Sequence, residues 1–457
     1  MRFTPHTDAE RKAMLDTIGM PSIDQLFADV PEHVRFPALN LPSALSELEV
    51  TREVRALAAR NREVDEASSF VGAGAYRHFR PAIVDSILQR GEFFTAYTPY
   101  QPELSQGMLQ AMFEYQSMIC RLTGMEVSNA SHYDGATSLA EAVLLALDAT
   151  GRDQTKVLLS RSINPHYRDV VETYLQGTDA QLESEDEDEL VAGLEGLLPK
   201  LGEQTAAVVV QSPNFLGQFE AMEDLADRVH AFGALLIVIT DPIALGLFRP
   251  PGADGADVVV ADGQPLGIPV NFGGPHLGIF ATRRRYVRLL VGRLVGETVD
   301  SAGERGYVLT LATREQHIRR AKATSNICTN AALSALAAMV YLAVMGKQGL
   351  RTVAKCCYHK SHYAASAIEH KTGLLINPQA PTKPFFKEFV VELPRPTSEV
   401  NHLLRDRFGI IGGYDLGKSC PEFDRHMLIA VTEVNSKAEI DRLASALRSI
   451  CKRDVDG

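Results

Sequence analysis

Two short, purely hydrophobic runs near the middle of the chain define the pattern around which the other elements are arranged. Residues 235–239 (LLIVI) and 258–260 (VVV) are hydrophobic at every position, and each run is followed closely by an aspartate in a turn-forming sequence, Asp241 or Asp262. Such runs are typical of strands buried on both faces of a sheet. Ligands of open α/β sheets bind at the carboxyl ends of such strands. We therefore expect the functional site at Asp241 and in the loop 262–265.

The rest of the chain alternates strand-like runs with helix-like spacing, which is typical of an α/β protein. Further strands are predicted at 156–160, 206–210, 388–393 and 427–432, and helices at 104–122, 139–147, 331–344, 398–408 and 437–451. The predicted fold class is α/β, with a helical arm at 1–65, a large mixed-sheet domain at 66–330, and a linking helix followed by a small α+β domain at 331–457.

Composition narrows the class of protein. Hydrophobic residues make up 45% and charged residues 23% of the 457 residues, which is ordinary for a soluble globular protein. The net charge of −11 argues against nucleic acid or an anionic membrane as a principal partner.

The apolar stretch 331–345 is shorter than the roughly 20 residues that cross a bilayer, so we predict a core helix. Six scattered cysteines without C-x-x-C spacing indicate neither disulfides nor a zinc site. We expect a cytoplasmic protein with no metal.

A turn of small and polar residues precedes the helix predicted at 139–147. A turn that opens a helix offers free backbone N–H groups and the positive end of the helix dipole, which suits a phosphate group. Serine and threonine also serve as ordinary helix N-caps, so both interpretations stay open. The candidate phosphate-binding residues are Asn129, Ser131, Asp134, Gly135, Ala136 and Thr137.

The segment 93–103 is rich in aromatic residues and proline, and long ordered loops of this kind are often functional. Tyr97 and Tyr100 lie within it. Two compatible interpretations are a substrate-facing loop and a strap of aromatic residues that fills a subunit interface.

The central stretch resembles the cofactor half of fold-type I pyridoxal-phosphate enzymes. In that family an aspartate after one strand holds the protonated pyridine nitrogen, and the loop after the next strand carries the lysine that binds the cofactor covalently. Asp241 matches the aspartate, but the loop carries Gln264, and no lysine occurs between Lys200 and Lys322. Arginine cannot replace lysine because its guanidinium stays protonated. Either the resemblance is false, or the chain has kept the fold and lost the covalent anchor.

Longer motifs resemble one family closely, the glycine cleavage P-proteins (decarboxylating glycine dehydrogenases), in their amino-terminal-type branch, subunit 1. The resemblance covers essentially the whole chain, with a histidine at position 132 where the family is expected to carry methionine. The motifs are AYTPYQPELSQG at 96–107, NASHYDGAT at 129–137, DGQPLG at 262–267, FGGPHLG at 272–278, GRLVGETVD at 292–300 and TREQHIRRAKATSNICTN at 313–330.

This resemblance implies a two-subunit enzyme in which a homologous second chain, subunit 2, binds pyridoxal phosphate covalently through its lysine. An α2β2 assembly is expected. The family reaction decarboxylates glycine on the cofactor, releases CO2 and transfers the aminomethyl group to the lipoyl group of the H-protein. This chain alone is expected to be inactive.

The resemblance also implies roles for individual residues. Thr95, Tyr97 and Tyr100 are expected to support the active site of the partner subunit. Asp241 and the phosphate-binding candidates of the turn before residue 139 are expected to form a pseudo-site that binds no cofactor covalently. Two alternatives remain: a purely structural subunit, or an autonomous pyridoxal-phosphate enzyme that uses an atypical lysine such as Lys322.

Overall fold

The computed structural model describes residues 5–61, 67–151, 153–185, 194–312, 315–323 and 325–451. The chain divides into two compact units, residues 1–63 and 64–457. In the first unit, helix α1 spans Asp8–Thr17 and helix α2 spans Glu47–Ala58. Each helix begins with a capping box, in which a serine or threonine and a glutamate three residues later bind each other's backbone N–H. Between them Ile23–Phe27 forms a 3-10 helix.

The second unit alternates strands and helices as the hydrophobic pattern predicted. Its described strands are β1 (Ser68–Ser69), β2 (Val127–Ser128), β3 (Lys156–Leu159), β4 (Gln181–Glu183), β5 (Thr205–Gln211), β6 (Leu235–Ile239), β7 (Val258–Asp262), β8 (Gly278–Thr282), β9 (Leu294–Val299), β10 (Arg305–Thr310), β11 (Glu388–Glu392), β12 (Ile410–Ile411), β13 (Tyr414–Asp415) and β14 (His426–Ala430). Its described helices are α3 (Ala82–Leu88), α4 (Gly91–Phe94), α5 (Gln106–Thr123), α6 (Gly135–Thr150), α7 (Pro165–Leu175), α8 (Leu194–Leu197), α9 (Leu225–His230), α10 (Gln316–Arg319), α11 (Ala332–Thr372), α12 (Thr397–Phe408) and α13 (Lys437–Cys451).

In the described part of the second unit, seven strands form a central sheet in the order β2-β8-β7-β6-β5-β3-β4. Strands β3 to β7 run parallel, whereas β8 pairs antiparallel with both β7 and β2. Along β6, Leu236 and Val238 pack into one hydrophobic cluster, and Leu235, Ile237 and Ile239 pack into another. The central strands are thus buried on both faces, as their uninterrupted hydrophobic runs predicted.

A small antiparallel sheet of order β11-β14-β13 lies in the carboxyl-terminal part of the unit. In sequence, helix α12 lies between β11 and β13, and α13 follows β14. Buried side chains of both helices share one hydrophobic cluster with β11 and β14. The predicted boundary near residue 330 stays a prediction.

Helix α11 leads to the small sheet and is long and apolar enough to cross a membrane by length and composition alone. Gly346, with a φ of 58°, breaks it into two helical segments. Leu336 and Tyr341 of the first segment are buried in the same hydrophobic cluster as Leu236 of β6. This packing agrees with the predicted core helix.

Candidate functional site

The carboxyl ends of the parallel strands meet at one small pocket. Asp241 follows β6, Asp262 ends β7, Gln211 ends β5, and Asn164 lies in the turn after β3. This is the edge of the sheet at which ligands of open α/β sheets bind. The pocket encloses only about 50 Å³. Its wall also includes Gly74, Tyr76, Tyr167, Pro265, Phe386, Lys387 and Glu388.

Asp241 is paired with a lysine that the sequence pattern did not predict. The ammonium nitrogen of Lys387 lies 2.6 Å from Oδ2 of Asp241, and the Lys387 side chain is 2% exposed. Oδ1 of Asp241 accepts a hydrogen bond from the backbone N–H of Ile243 at 2.8 Å. A buried charge is tolerated only when it is paired. Since Lys387 immediately precedes β11, the ion pair holds the start of the small sheet against the end of β6.

Two aromatic side chains surround the ammonium group of Lys387. It lies 3.4 Å from the centre of the Tyr76 ring and 3.2 Å from Nε2 of His78. Burial lowers the pKa of His78, and the charge of Lys387 lowers it further. His78 is therefore neutral at neutral pH, with Nε2 accepting from Lys387 and Nδ1–H donating to Glu433 at 2.7 Å. A buried polar network thus extends from Asp241 to Glu433.

His78, Glu433 and Cys357 bring potential metal ligands within 4.8 Å of one another. The thiol of Cys357 donates to Glu433 at 3.3 Å, and burial raises the pKa of Cys357 well above its ordinary value. A cysteine binds a metal as the thiolate, and Nε2 of His78 already accepts from Lys387. The three residues therefore favour a hydrogen-bonded network over a metal centre.

Gln264 occupies the loop in which fold-type I enzymes carry the cofactor lysine. Its amide oxygen accepts from the backbone N–H of Tyr76, and its amide nitrogen donates to the Tyr76 carbonyl, both at 2.9 Å. The carboxylate of Glu388 accepts from the Ala73 N–H and from the Tyr76 hydroxyl, both at 2.7 Å. These contacts hold the segment 73–76 over the pocket.

Helix α6 begins at the turn that was predicted to bind a phosphate. Asp134 is its N-cap: Oδ1 accepts from the Thr137 N–H at 2.8 Å, and the Thr137 hydroxyl accepts from the Asp134 N–H at 3.3 Å. The backbone N–H of Gly135 donates to Oδ2 of Asp262 at 3.2 Å. His276 binds the same oxygen at 3.0 Å, and this hydrogen bond raises the pKa of His276. A carboxylate of the chain itself therefore lies where the helix favours an anion.

The other predicted phosphate-binding residues make structural contacts. Asn129 and Ser131 are buried. Nδ2 of Asn129 donates to the Val291 carbonyl at 2.9 Å, and the Ser131 hydroxyl accepts from the Ala331 N–H at 3.1 Å, just before α11. Ala136 lies half-buried in the first turn of α6. A cofactor-binding role for these residues stays a prediction.

Thr95, Tyr97 and Tyr100 do not line the Asp241 pocket in the described part of the chain. Tyr97 and Tyr100 line an open cavity of about 600 Å³ and are 85% and 53% exposed. The Thr95 hydroxyl donates to the Gly91 carbonyl at 2.6 Å. Buried Arg293 donates to the Tyr100 hydroxyl at 3.1 Å, and its guanidinium lies 5.0 Å from the Tyr100 ring centre. The predicted supporting role of the three residues belongs to this separate surface and stays a prediction.

Sequence reasoning missed Tyr76, His78 and Lys387. One signal was available for Lys387, because it stands within FFKEF at 385–389, where a charged residue interrupts a hydrophobic run. No local pattern indicates that this segment returns to the end of β6, since ion-pair partners distant in sequence meet only through the tertiary fold.

The chain matches the glycine cleavage system P-protein family over residues 1–447. It is 52% identical over 447 residues to a probable glycine dehydrogenase (decarboxylating) subunit 1 of Geobacillus kaustophilus, with 98% of each chain covered. It is also similar to the crystal structure of a glycine decarboxylase (P-protein) of the glycine cleavage system in inhibitor-bound form. That similarity has a TM-score of 0.88 at 45% identity, and it covers 98% of this chain and 100% of the other.

A more distant similarity concerns the fold alone. The cysteine desulfurase of Thermococcus onnurineus, in its apo form, is 15% identical with a TM-score of 0.61, and the match covers 90% of this chain and 100% of that one. The predicted fold class, the α/β fold of fold-type I pyridoxal-phosphate enzymes, is confirmed. The family predicted from the sequence motifs is confirmed as well: the chain belongs to the glycine cleavage system P-protein family.

Proposed function

We propose that this chain is the supporting subunit of a two-subunit glycine decarboxylase. The assembled enzyme decarboxylates glycine on pyridoxal phosphate, releases CO2 and transfers the aminomethyl group to the lipoyl group of the H-protein. The family match over nearly the full chain and the similarity to a probable glycine dehydrogenase (decarboxylating) subunit 1 and to a P-protein crystal structure support this function. The cytoplasm is the proposed location, and the absence of disulfides among the six cysteines is consistent with it.

The observation that carries this proposal is Gln264 in the loop after β7, where fold-type I enzymes carry the cofactor lysine. An amide is not a nucleophilic amine, and both ends of the Gln264 amide are bound to Tyr76. The pocket also encloses only about 50 Å³, with Lys387 already on Asp241. The residues of this chain therefore do not fit pyridoxal phosphate. The lysine that binds the cofactor covalently belongs to the partner, subunit 2.

An autonomous pyridoxal-phosphate enzyme would need a lysine such as Lys322 at the cofactor. The position of Lys322 does not support this alternative. It is exposed in the 3-10 turn Arg320–Lys322 and is not part of the Asp241 pocket. Lys387 is the lysine that lines the pocket among the described residues, and it lies against the aspartate that would face the pyridine nitrogen.

Exposed hydrophobic side chains supply a surface for the partner subunit. Phe94, Tyr97 and Leu104 are each more than 60% exposed, and Tyr97 and Leu104 line the same open cavity. Large exposed apolar side chains grouped in this way are typical of protein interfaces. We propose an α2β2 assembly in which this surface contacts subunit 2. Its tyrosine hydroxyls would then orient glycine at the partner's site.

The test is glycine-dependent CO2 exchange with each subunit alone and with the two mixed, in the presence of lipoylated H-protein and pyridoxal phosphate. We expect exchange only in the mixture. Exchange by this chain alone would contradict the proposal. Full exchange by subunit 2 alone would contradict a catalytic contribution of this chain and would indicate that its role is purely structural.

A further inference from the structure

The Asp241 pocket contains two charged side chains of this chain, one at each of the two places where fold-type I enzymes bind the charged groups of the cofactor. Pyridoxal phosphate presents a protonated ring nitrogen at one end and an anionic phosphate at the other. In fold-type I enzymes an aspartate faces the first group and a helix N-terminus faces the second. Here Asp241 and the start of α6 supply these two partners, and each is already bound to a side chain of this chain.

At the aspartate, the internal group is a cation. The Lys387 ammonium lies 2.6 Å from Oδ2 of Asp241, on the face of the Tyr76 ring at 3.4 Å from its centre. An ammonium stacked on an aromatic face and bound to a carboxylate is stabilised by both groups. It supplies the positive charge that a pyridinium nitrogen would bring to Asp241.

At the helix, the internal group is an anion. Oδ2 of Asp262 accepts from the Gly135 N–H at 3.2 Å, at the start of a 16-residue helix, and His276 binds the same oxygen at 3.0 Å. A carboxylate at a helix N-terminus is favoured by the free N–H groups and by the helix dipole. It supplies the negative charge that a phosphate would bring.

The space between the two charges is filled. A Cβ added to Gly135 would lie 2.1 Å from the Tyr167 hydroxyl and 2.9 Å from the backbone nitrogen of Asp262. Gln264 and Glu388 hold the Tyr76 segment across the opening. The remaining volume of about 50 Å³ is far below the roughly 300 Å³ or more of small-molecule sites.

We propose that Lys387 and Asp262 are internal substitutes for the pyridinium and phosphate charges of the cofactor. They keep the pocket closed to pyridine phosphates, and the resulting contacts join the start of β11, the segment 73–78 and the sheet. This inference concerns the pocket of this chain and does not rest on the proposed function, because it is tested without glycine, H-protein or turnover.

The first test is the thermal unfolding of the purified full-length chain and its variants Lys387→Met, Asp241→Asn and the combination of both. Each single variant removes the opposite charge from a buried partner, so we expect its midpoint to fall by roughly 5 °C or more, whereas the combination falls by less than the sum. Lys437→Met is the control, since the Lys437 ion pair with Asp441, at 2.6 Å, is exposed and lies outside the pocket, so its midpoint should change little. A combined variant that loses at least the sum of the two single losses overturns the proposal.

The second test uses ligands. Equilibrium dialysis of the unmodified chain with pyridoxamine 5′-phosphate, which cannot form an aldehyde adduct with lysine, should show no saturable uptake. Inorganic phosphate should raise the unfolding midpoint of Asp262→Ala more than that of the unmodified chain, because the vacated helix N-terminus then accepts an anion. Saturable uptake of pyridoxamine 5′-phosphate by the unmodified chain, or equal stabilisation of the two proteins by phosphate, would overturn the proposal.

Discussion

The side chain of Gln264 and the backbone of Tyr76 exchange two hydrogen bonds of 2.9 Å. An ammonium group offers donors only, so a lysine at this position could not accept from the Tyr76 N–H. The loop after β7, which carries the cofactor lysine in fold-type I enzymes, holds a segment of this chain over the pocket through Gln264.

Restoring a lysine at this position should not restore cofactor binding. In Gln264→Lys the new amine faces a pocket that Lys387 and Asp262 already fill. We expect no visible absorbance from lysine-bound pyridoxal after incubation with pyridoxal phosphate. The free energy of unfolding should fall by about 1–3 kcal/mol for the lost hydrogen bonds. Gln264→Met is the control for the lost hydrogen bonds. Stoichiometric absorbance from pyridoxal bound to residue 264 would contradict this expectation.

Gly135 has no room for a side chain. In Gly135→Ala the new methyl group would meet the Tyr167 hydroxyl and the Asp262 backbone, so we expect a loss of roughly 1–3 kcal/mol in denaturant unfolding. Adding Tyr167→Phe should recover part of it. Gly107→Ala in α5 is the matched control, because nothing lies within 4 Å of its added Cβ, and it should be neutral or stabilising. Equal effects of the two alanine substitutions would argue against a filled pocket.

Glu141 in α6 should make stability fall with rising pH. It is 1% exposed, and burial raises its pKa from 4.5 to about 7, although a hydrogen bond from Ser325 opposes the shift. Between these pH values the unfolded chain ionises while the folded chain stays protonated, so stability decreases as pH rises and levels off above about 7. The full loss is about 3 kcal/mol.

The check is urea unfolding of the unmodified chain and Glu141→Gln at pH 5 and pH 8. Glu141→Gln should lose less stability over this interval than the unmodified chain, and the exposed Glu172→Gln should behave like the unmodified chain. An unchanged pH dependence in Glu141→Gln would show that this carboxyl does not titrate as stated.

Tyr100 should affect turnover in the assembled enzyme. Arg293 fixes its hydroxyl at 3.1 Å, so the group is preorganised on the exposed surface. We expect Tyr100→Phe to lower kcat/KM for glycine by roughly tenfold, about 1.4 kcal/mol, when mixed with subunit 2. The amount of assembly on gel filtration should not change. Tyr363→Phe, which removes a hydroxyl that donates to Asp441 of α13, is the control. Unchanged turnover in Tyr100→Phe would leave only a packing role.

The hydrophobic pattern predicted the strands whose hydrophobic runs are buried at every position. The runs at 235–239 and 258–260 became β6 and β7, and their carboxyl ends place Asp241 and Asp262 at the pocket. Asp134 and Thr137 could be interpreted from sequence as a cap or as a phosphate site. In the structure Asp134 caps helix α6, and Asp262 accepts a hydrogen bond from the backbone N–H of Gly135.

The long-range contacts were not predictable from local patterns. Lys387 meets Asp241 only because the start of the small sheet folds back to the end of β6. His78 and Glu433 likewise come from segments far apart in sequence. Neither contact leaves a periodic signal, since each depends on one side chain and on the tertiary fold.

The central claim is that the covalent cofactor anchor lies outside this chain. Its most direct test is borohydride reduction of the assembled two-subunit enzyme with pyridoxal phosphate, followed by mass spectrometry of peptides from both chains. The account predicts a pyridoxyl group on a lysine of subunit 2 and none on this chain. A stoichiometric pyridoxyl group on Lys387, Lys322 or any other lysine of this chain would contradict it.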